Sequence, residues 1–234
     1  MGPLNLDDDK IRIPLNLDAV KTRCSDAVVP PAKKPARPYH HGDLRRALVE
    51  ASLELVDAGG AAGLTLRGVA RKLGVSHAAP GHHFADRAAL LAAVAARGFE
   101  GLAEATERAA NRATSPVQRL EAVGVAYVEF AVAHPERFRL MFGAEVRGAP
   151  SAELADNGRR AFDVLVGAVR AAVGDDDPER QRVTTLAAWS LVHGLATLWI
   201  DERLAGFASS RNRSAATRLA REVTALVARV VEVG

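Results

Sequence analysis

The chain has 234 residues, 48% of them hydrophobic and 5% aromatic, with 31 basic against 28 acidic side chains and a net charge of +3. That is enough for a small domain and a larger one, each with a core of its own, and too apolar for a wholly disordered protein. Ala, Leu and Val dominate while Gly and Pro seldom interrupt the periodic stretches, so the expected class is all-α.

Residues 1–38 hold six of the eleven prolines and have no helical period. Pro-Leu-Asn-Leu-Asp occurs twice, from Pro3 and from Pro14, and Asp-Asp-Asp-Lys at 7–10 looks like part of a protease recognition site. The expectation for 1–38 is a disordered leader ending in a basic arm of Lys33, Lys34 and Arg37. Cys24 is the one cysteine, which excludes an intrachain disulfide and suits a reducing compartment. No uninterrupted apolar run approaches ~18 residues and no signal-type core opens the chain, so a cytoplasmic location with no membrane partner is expected.

From Asp43 a helical stripe begins, Leu44, Leu48, Ala51, Leu55 and Ala58, stepping by 4, 3, 4 and 3, and Gly59-Gly60 ends it. Thr65 is a suitable N-cap for a second helix over 66–73, with Leu66, Val69, Ala70 and Leu73 inward and Gly74 as its stop. Ser76 is read as the cap of a short third helix to about His83, with Val75 and Phe84 pinning it to the bundle. Asp86 caps a long fourth helix through Leu90, Leu91, Val94, Phe99 and Leu102, where Gly98 and Gly101 are weak points. Ser115-Pro116 opens a helix that closes at His134-Pro135, and a short helix follows around 136–142. Ser151 opens the next, ended by Gly174; Asp177-Pro178 opens another to about Leu204, and the last runs over roughly 214–232. The architecture is three helices, a linking helix and a five-helix body.

Two short helices joined by a Gly turn form a helix-turn-helix, whose second helix enters the major groove while the first crosses the backbone. Charge agrees with this. Residues 30–100 carry ten basic and six acidic side chains, whereas 101–234 carry seventeen of each, so the positive excess sits on the candidate reader. Thr65 at a helix start suits a phosphate, and His41, Arg45, Arg67 and Arg87 are further backbone candidates. His77, Ala78, Gly81 and His82 are expected to face the bases, with no Arg or Gln available for a bidentate contact. The arm Lys33, Lys34 and Arg37 is suited to a minor groove.

Tyr39-His40-His41-Gly42-Asp43-Leu44, then Leu64-Thr65-Leu66-Arg67 through Val75-Ser76-His77-Ala78-Ala79-Pro80, and His83-Phe84-Ala85-Asp86 resemble the N-terminal domain of the TetR (tetracycline-repressor-like) family of transcriptional regulators. The likeness covers residues 39–102. It implies a dimer on a palindromic double-stranded DNA operator, and a C-terminal domain that senses a small-molecule effector. The division it implies is 1–38 leader and arm, 39–86 DNA-binding domain, and 87–234 effector-binding and dimerisation domain. Ala188-Trp189-Ser190-Leu191-Val192-His193-Gly194 resembles a C-terminal subgroup marked by a Trp and His-Gly. Gly68 stands where many members carry an acidic residue, and Gly81 where many carry Tyr. Pro80 removes one N–H near the start of the third helix.

Trp189 and His193 are four apart on one helical face. Phe130, Phe138, Met141, Phe142, Phe162 and Trp199 are candidates to converge with them on a largely apolar pocket, with His193 as polar anchor. The same side chains would serve as ordinary core. The last two long helices are the expected homodimer face: Gly194 and Ala196 allow close packing, and the stripe Leu219, Val223, Leu226, Val230 needs a partner. An effector-driven change is expected to travel through the linking helix, bending at Gly98 and Gly101.

Seven His do not make a metal site here, because no HExxH or Cys/His ligand spacing occurs and adjacent His on a helix diverge. No nucleophile, base and orienter stand in a recognisable pattern either, so neither an enzyme nor a cofactor is expected. A helical ligand-binding protein with weak or no specific DNA binding is the alternative.

Overall fold

The computed structural model describes residues 41–174, 176–204, 206–207, 210 and 212–233. The leader, its basic arm and Cys24 lie outside the described residues. The described chain is all-α: α1 (His41–Gly59), α2 (Leu66–Leu73), a single 3₁₀ turn at Ala79–His82, α3 (Arg87–Arg112), α4 (Pro116–Ala133), α5 (Pro135–Phe142), α6 (Ala152–Val173), α7 (Pro178–Ile200) and α8 (Arg213–Val233).

Local chemistry sets most of these boundaries. Thr65 Oγ1 accepts from the Gly68 N–H at 3.0 Å, and Asp86 Oδ1 from the Ala89 N–H at 2.8 Å. Ser115, Ser151 and Asp177 cap α4, α6 and α7 in the same manner. Each such bond satisfies one of the orphan N–H groups of a first turn, worth about 1 kcal/mol. Gly74 takes φ 68°, and its N–H reaches back to Ala70 O and Arg71 O. A side chain there would be strained, which is why the turn between α2 and the next segment requires glycine.

Several expectations need correction. The third helix is not an α-helix from Ser76; Ala79 N–H to Ser76 O, Gly81 N–H to Ala78 O and His83 N–H to Pro80 O are i→i+3 bonds, and a single i→i+4 bond, Phe84 N–H to Pro80 O, closes the turn. Pro80 has no N–H to donate to Ser76 O, and Gly81 is a poor helix former, so the segment tightens to 3₁₀. Ala58 is exposed, whereas Leu48 and Ala51 of the expected stripe are buried and Leu44 and Leu55 pack against the core, with Val49, Leu53 and Val56 widening that face. α7 stops at Ile200, four residues early. α3 runs unbroken through Gly98 and Gly101, as the sequence leads one to expect. A Cβ on Gly98 would sit 2.8 Å from Met141 Sδ, so that glycine serves close packing against α5.

One core joins α1 and α2 to the first half of α3 through Leu48, Val56, Val69, Phe84, Leu90 and Val94. A second gathers α4, α5, α7 and α8 around Leu102, Tyr127, Phe138 and Val192, and a third lies around Leu165, Val169 and Ala188. Leu219 and Val223 of the α8 stripe pack on the second core, whereas Leu226 is 53% exposed. Val230 lies among the residues whose side chains are not described. By length and composition α7 is long and apolar enough to cross a bilayer, a property of the helix as a whole that no uninterrupted apolar run announced.

Candidate functional site

The segment after Gly74 presents His77, Ala78, Gly81 and His82 to solvent, while Pro80 and Phe84 are buried beneath it. Burying Pro80 and Phe84 fixes the turn to the α1–α3 core and leaves its other side exposed. Thr65 and Arg67 are exposed at the start of α2. Arg71, four residues beyond Arg67 and also exposed, shares its face; the i,i+4 spacing could have added it to the candidate set. Lys72 is held 2.9 Å from Glu54 of α1.

Two expected phosphate contacts have partners within the chain. Arg87 donates to Leu64 O at 2.8 Å and to Ala61 O at 2.6 Å, which ties the α1–α2 loop to the start of α3. Arg45 bonds Glu153 of α6 at 2.7 Å, and its guanidinium lies 5.5 Å from the Phe84 ring centroid. The arm residues Lys33, Lys34 and Arg37 and the His41 side chain lie outside the described residues.

The body holds a half-open cavity of about 270 Å³. Helical spacing explains its walls. Phe99, Leu102 and Thr106 follow one face of α3, and Val123 and Tyr127 one face of α4. From the other side Gly158, Ala161, Phe162 and Leu165 follow α6, while Trp189 and Val192 come from α7 and Phe142 from the end of α5. The rings meet edge to face: Phe162 on Trp189 at 5.6 Å, and Phe99 on Phe142 at 5.3 Å between centroids.

Of the expected pocket residues, Phe142, Phe162 and Trp189 line this cavity. His193 stands behind the wall, with Nδ1 2.8 Å from Tyr127 Oη and its ring 4.7 Å from that of Phe142. Phe138 supports Tyr127 from the same side at 5.7 Å. Met141 packs on Gly98, and Phe130 turns to His134 and a shallower groove with Arg97 and Glu104. Tyr127 was missed. A lone hydroxyl in the apolar run of α4 was the available signal, since a buried polar group needs a partner.

Burial pushes the Tyr127 phenol well above its ordinary value, with a hydrogen bond from Trp189 working the other way. Burial also pushes the His193 imidazole below 6.5. Both rings are therefore neutral near pH 7, and the Tyr127 Oη–His193 Nδ1 pair is a hydrogen bond between uncharged partners whose direction follows the imidazole tautomer.

Two family models match the chain: "Bacterial regulatory proteins, tetR family" over residues 48–94 and "Tetracyclin repressor-like, C-terminal domain" over 120–232. A solved protein of unknown function from Rhodococcus sp. RHA1 is 36% identical, with 84% of this chain and 97% of that one covered at a TM-score of 0.67. A bacterial regulatory protein in the tetR family from Rhodococcus RHA1 shares the fold at 23% identity and a TM-score of 0.58, covering 80% of this chain and 96% of the other. HTH-type transcriptional regulators of Mycobacterium tuberculosis and Mycobacterium bovis are 29% identical over 122 residues, half of this chain. The chain spans about half the length of these curated relatives, 52%. With both family models covering about two thirds of its length, one over the reader and one over the cavity-bearing body, the chain belongs to the tetR family of bacterial regulatory proteins, DNA-binding regulators rather than enzymes.

Proposed function

We propose that the chain is a ligand-responsive repressor, a homodimer on a palindromic operator that is released when a small, largely apolar effector enters the aromatic cavity. The observation that carries this reading is that α3 belongs to both halves. Its Leu90, Leu91 and Val94 pack in the core with α1 and α2, while Phe99, Leu102 and Thr106 wall the cavity. A displaced cavity wall therefore moves the helix on which the reader is seated. A coupling of about 1–3 kcal/mol is enough for a 5–150-fold change in operator affinity.

In this reading His77, Ala78 and His82 meet base edges and Gly81 passes close to the duplex. Thr65, Arg67 and Arg71 hold phosphates, with Lys33, Lys34 and Arg37 as an arm in the minor groove. Two recognition segments must reach successive grooves about 34 Å apart, which requires two copies. α7 supports the pairing: Val183, Leu186, Ala187, Ser190, Thr197 and Leu198 are all exposed and uncharged, and their spacing places them on one face. The subgroup marked by Trp189 and His193-Gly194 belongs to the same proposal.

A gel shift at two salt concentrations, on DNA flanking the chain's own coding region, tests it. Binding by a dimer that weakens steeply with salt is expected. A monomer with no preference over random sequence would sink the repressor and leave the ligand-binding alternative.

A further inference from the structure

If the cavity is the effector site, as proposed above, its chemistry restricts what can enter. Among the described residues that line it there is no Asp, Glu, Lys, Arg or His. The hydroxyls present are already engaged. Thr106 Oγ1 donates back to Leu102 O at 2.9 Å and Ala103 O at 3.0 Å, and Tyr127 Oη is held 2.8 Å from His193 Nδ1. Among the described residues no buried side-chain nitrogen or oxygen lacks a partner. An entering carboxylate would find no cationic side chain and an ammonium no carboxylate, so either charge would be desolvated without a counter-charge.

Size and shape follow from the same walls. A dry apolar cavity of about 150 Å³ accepts one benzene ring, and this one has about 270 Å³. Five of its lining residues, Phe99, Tyr127, Phe142, Phe162 and Trp189, are aromatic. Their rings favour a flat arene packed edge to face or offset. We infer that the cavity between α3 and α7 takes an uncharged, hydrogen-bond-poor bicyclic arene of about ten to twelve carbons, twice the ring count that fits the smaller volume. Selectivity comes from exclusion: among the described residues no charged side chain lines the cavity, and its hydroxyls already have partners within the fold, Tyr127 with His193 and Thr106 with the α3 backbone.

Gly158, which lines the cavity, provides the first obstruction. A Cβ there meets nothing within 4 Å, so Gly158→Leu adds bulk at the cavity wall without a clash against the fold. Ala161→Phe, one turn along α6, is the second obstruction. The experiment titrates the full chain calorimetrically with naphthalene, 1-naphthoate and 1-naphthylmethylammonium, which share a ring system and differ in charge. Naphthalene is expected to bind, with both charged analogues weaker by about tenfold or more. Gly158→Leu and Ala161→Phe should lose naphthalene while keeping their helical circular dichroism. Equal binding of either charged analogue, naphthalene retained in both obstructed variants, or no naphthalene binding at all overturns the assignment. An operator shift on the same samples separates the two readings. Naphthalene bound without DNA release upholds the ligand class and ends the effector role, whereas naphthoate bound as tightly, with release, does the reverse.

Discussion

The Arg45 guanidinium lies 2.7 Å from the Glu153 carboxylate, which joins the first helix of the reader to the helix that walls the cavity. Both side chains are nearly half exposed, at 45% and 47%. Such a pair contributes about 0–1 kcal/mol to stability. Its consequence is positional: Arg45 is held over Phe84 and its charge is partly neutralised.

Removing that carboxylate should show in DNA binding more than in folding. Glu153→Gln is expected to leave the melting temperature within a few degrees and to free Arg45 for a phosphate. The plot of log K against log salt should then steepen by about 0.9, the increment for one added phosphate contact. An unchanged slope would show that Arg45 does not reach DNA.

The interior of α6 offers a stabilising substitution. Gly158 sits in a helix with open space at its Cβ, so Gly158→Ala gains helix propensity of about 1 kcal/mol without a clash. A rise of roughly 2–4 °C in the melting temperature is expected for a chain of this size. A fall would mean that the backbone at 158 is not helical.

Thr65→Ala removes the cap on the Gly68 N–H. It should cost about 1 kcal/mol in denaturant titration. The same change removes a phosphate candidate, so operator affinity should fall by more than the stability loss accounts for. Thr65→Ser should restore both.

Acid should destabilise the fold. Burial lowers the His193 imidazole below 6.5; His134 is lowered by burial first and then by Arg137, with Asp57 opposing. The unfolded chain therefore binds these protons more readily than the folded one. That stability is fully present above the unfolded value and is lost as pH falls through the folded values. Melting temperature should be level above about pH 7 and decline below about 6.5. His193→Phe should remove part of that decline and leave the His134 part. A melting temperature that rises on acidification contradicts this.

On α7, Leu186→Glu with Leu198→Glu places charge on the exposed apolar face. Sedimentation should report monomers where the parent is a dimer, with operator affinity reduced in step. Dimers that persist would move the pairing face elsewhere.

What the sequence determined lies within three or four residues of each boundary. Thr65, Asp86, Ser115, Ser151 and Asp177 are small polar residues whose side chains accept from the first turn of a helix, so each cap could be read from its neighbours. Gly74 was legible for the same reason. The third helix was misjudged because Ser76 resembles a cap, while Pro80 and Gly81 inside the turn prevent an α-helix from forming. Tertiary structure alone decided the cavity. Its wall runs from Phe99 to Val192, and periodicity gives the face of each helix but not which faces meet. Tyr127 and Phe130 lie three residues apart, yet one lines the cavity and the other turns to His134 and the groove with Arg97 and Glu104. The engagement of Arg45 by Glu153, 108 residues away, is of the same kind. Local propensity has a short range, and contacts between distant helices follow from how whole faces pack.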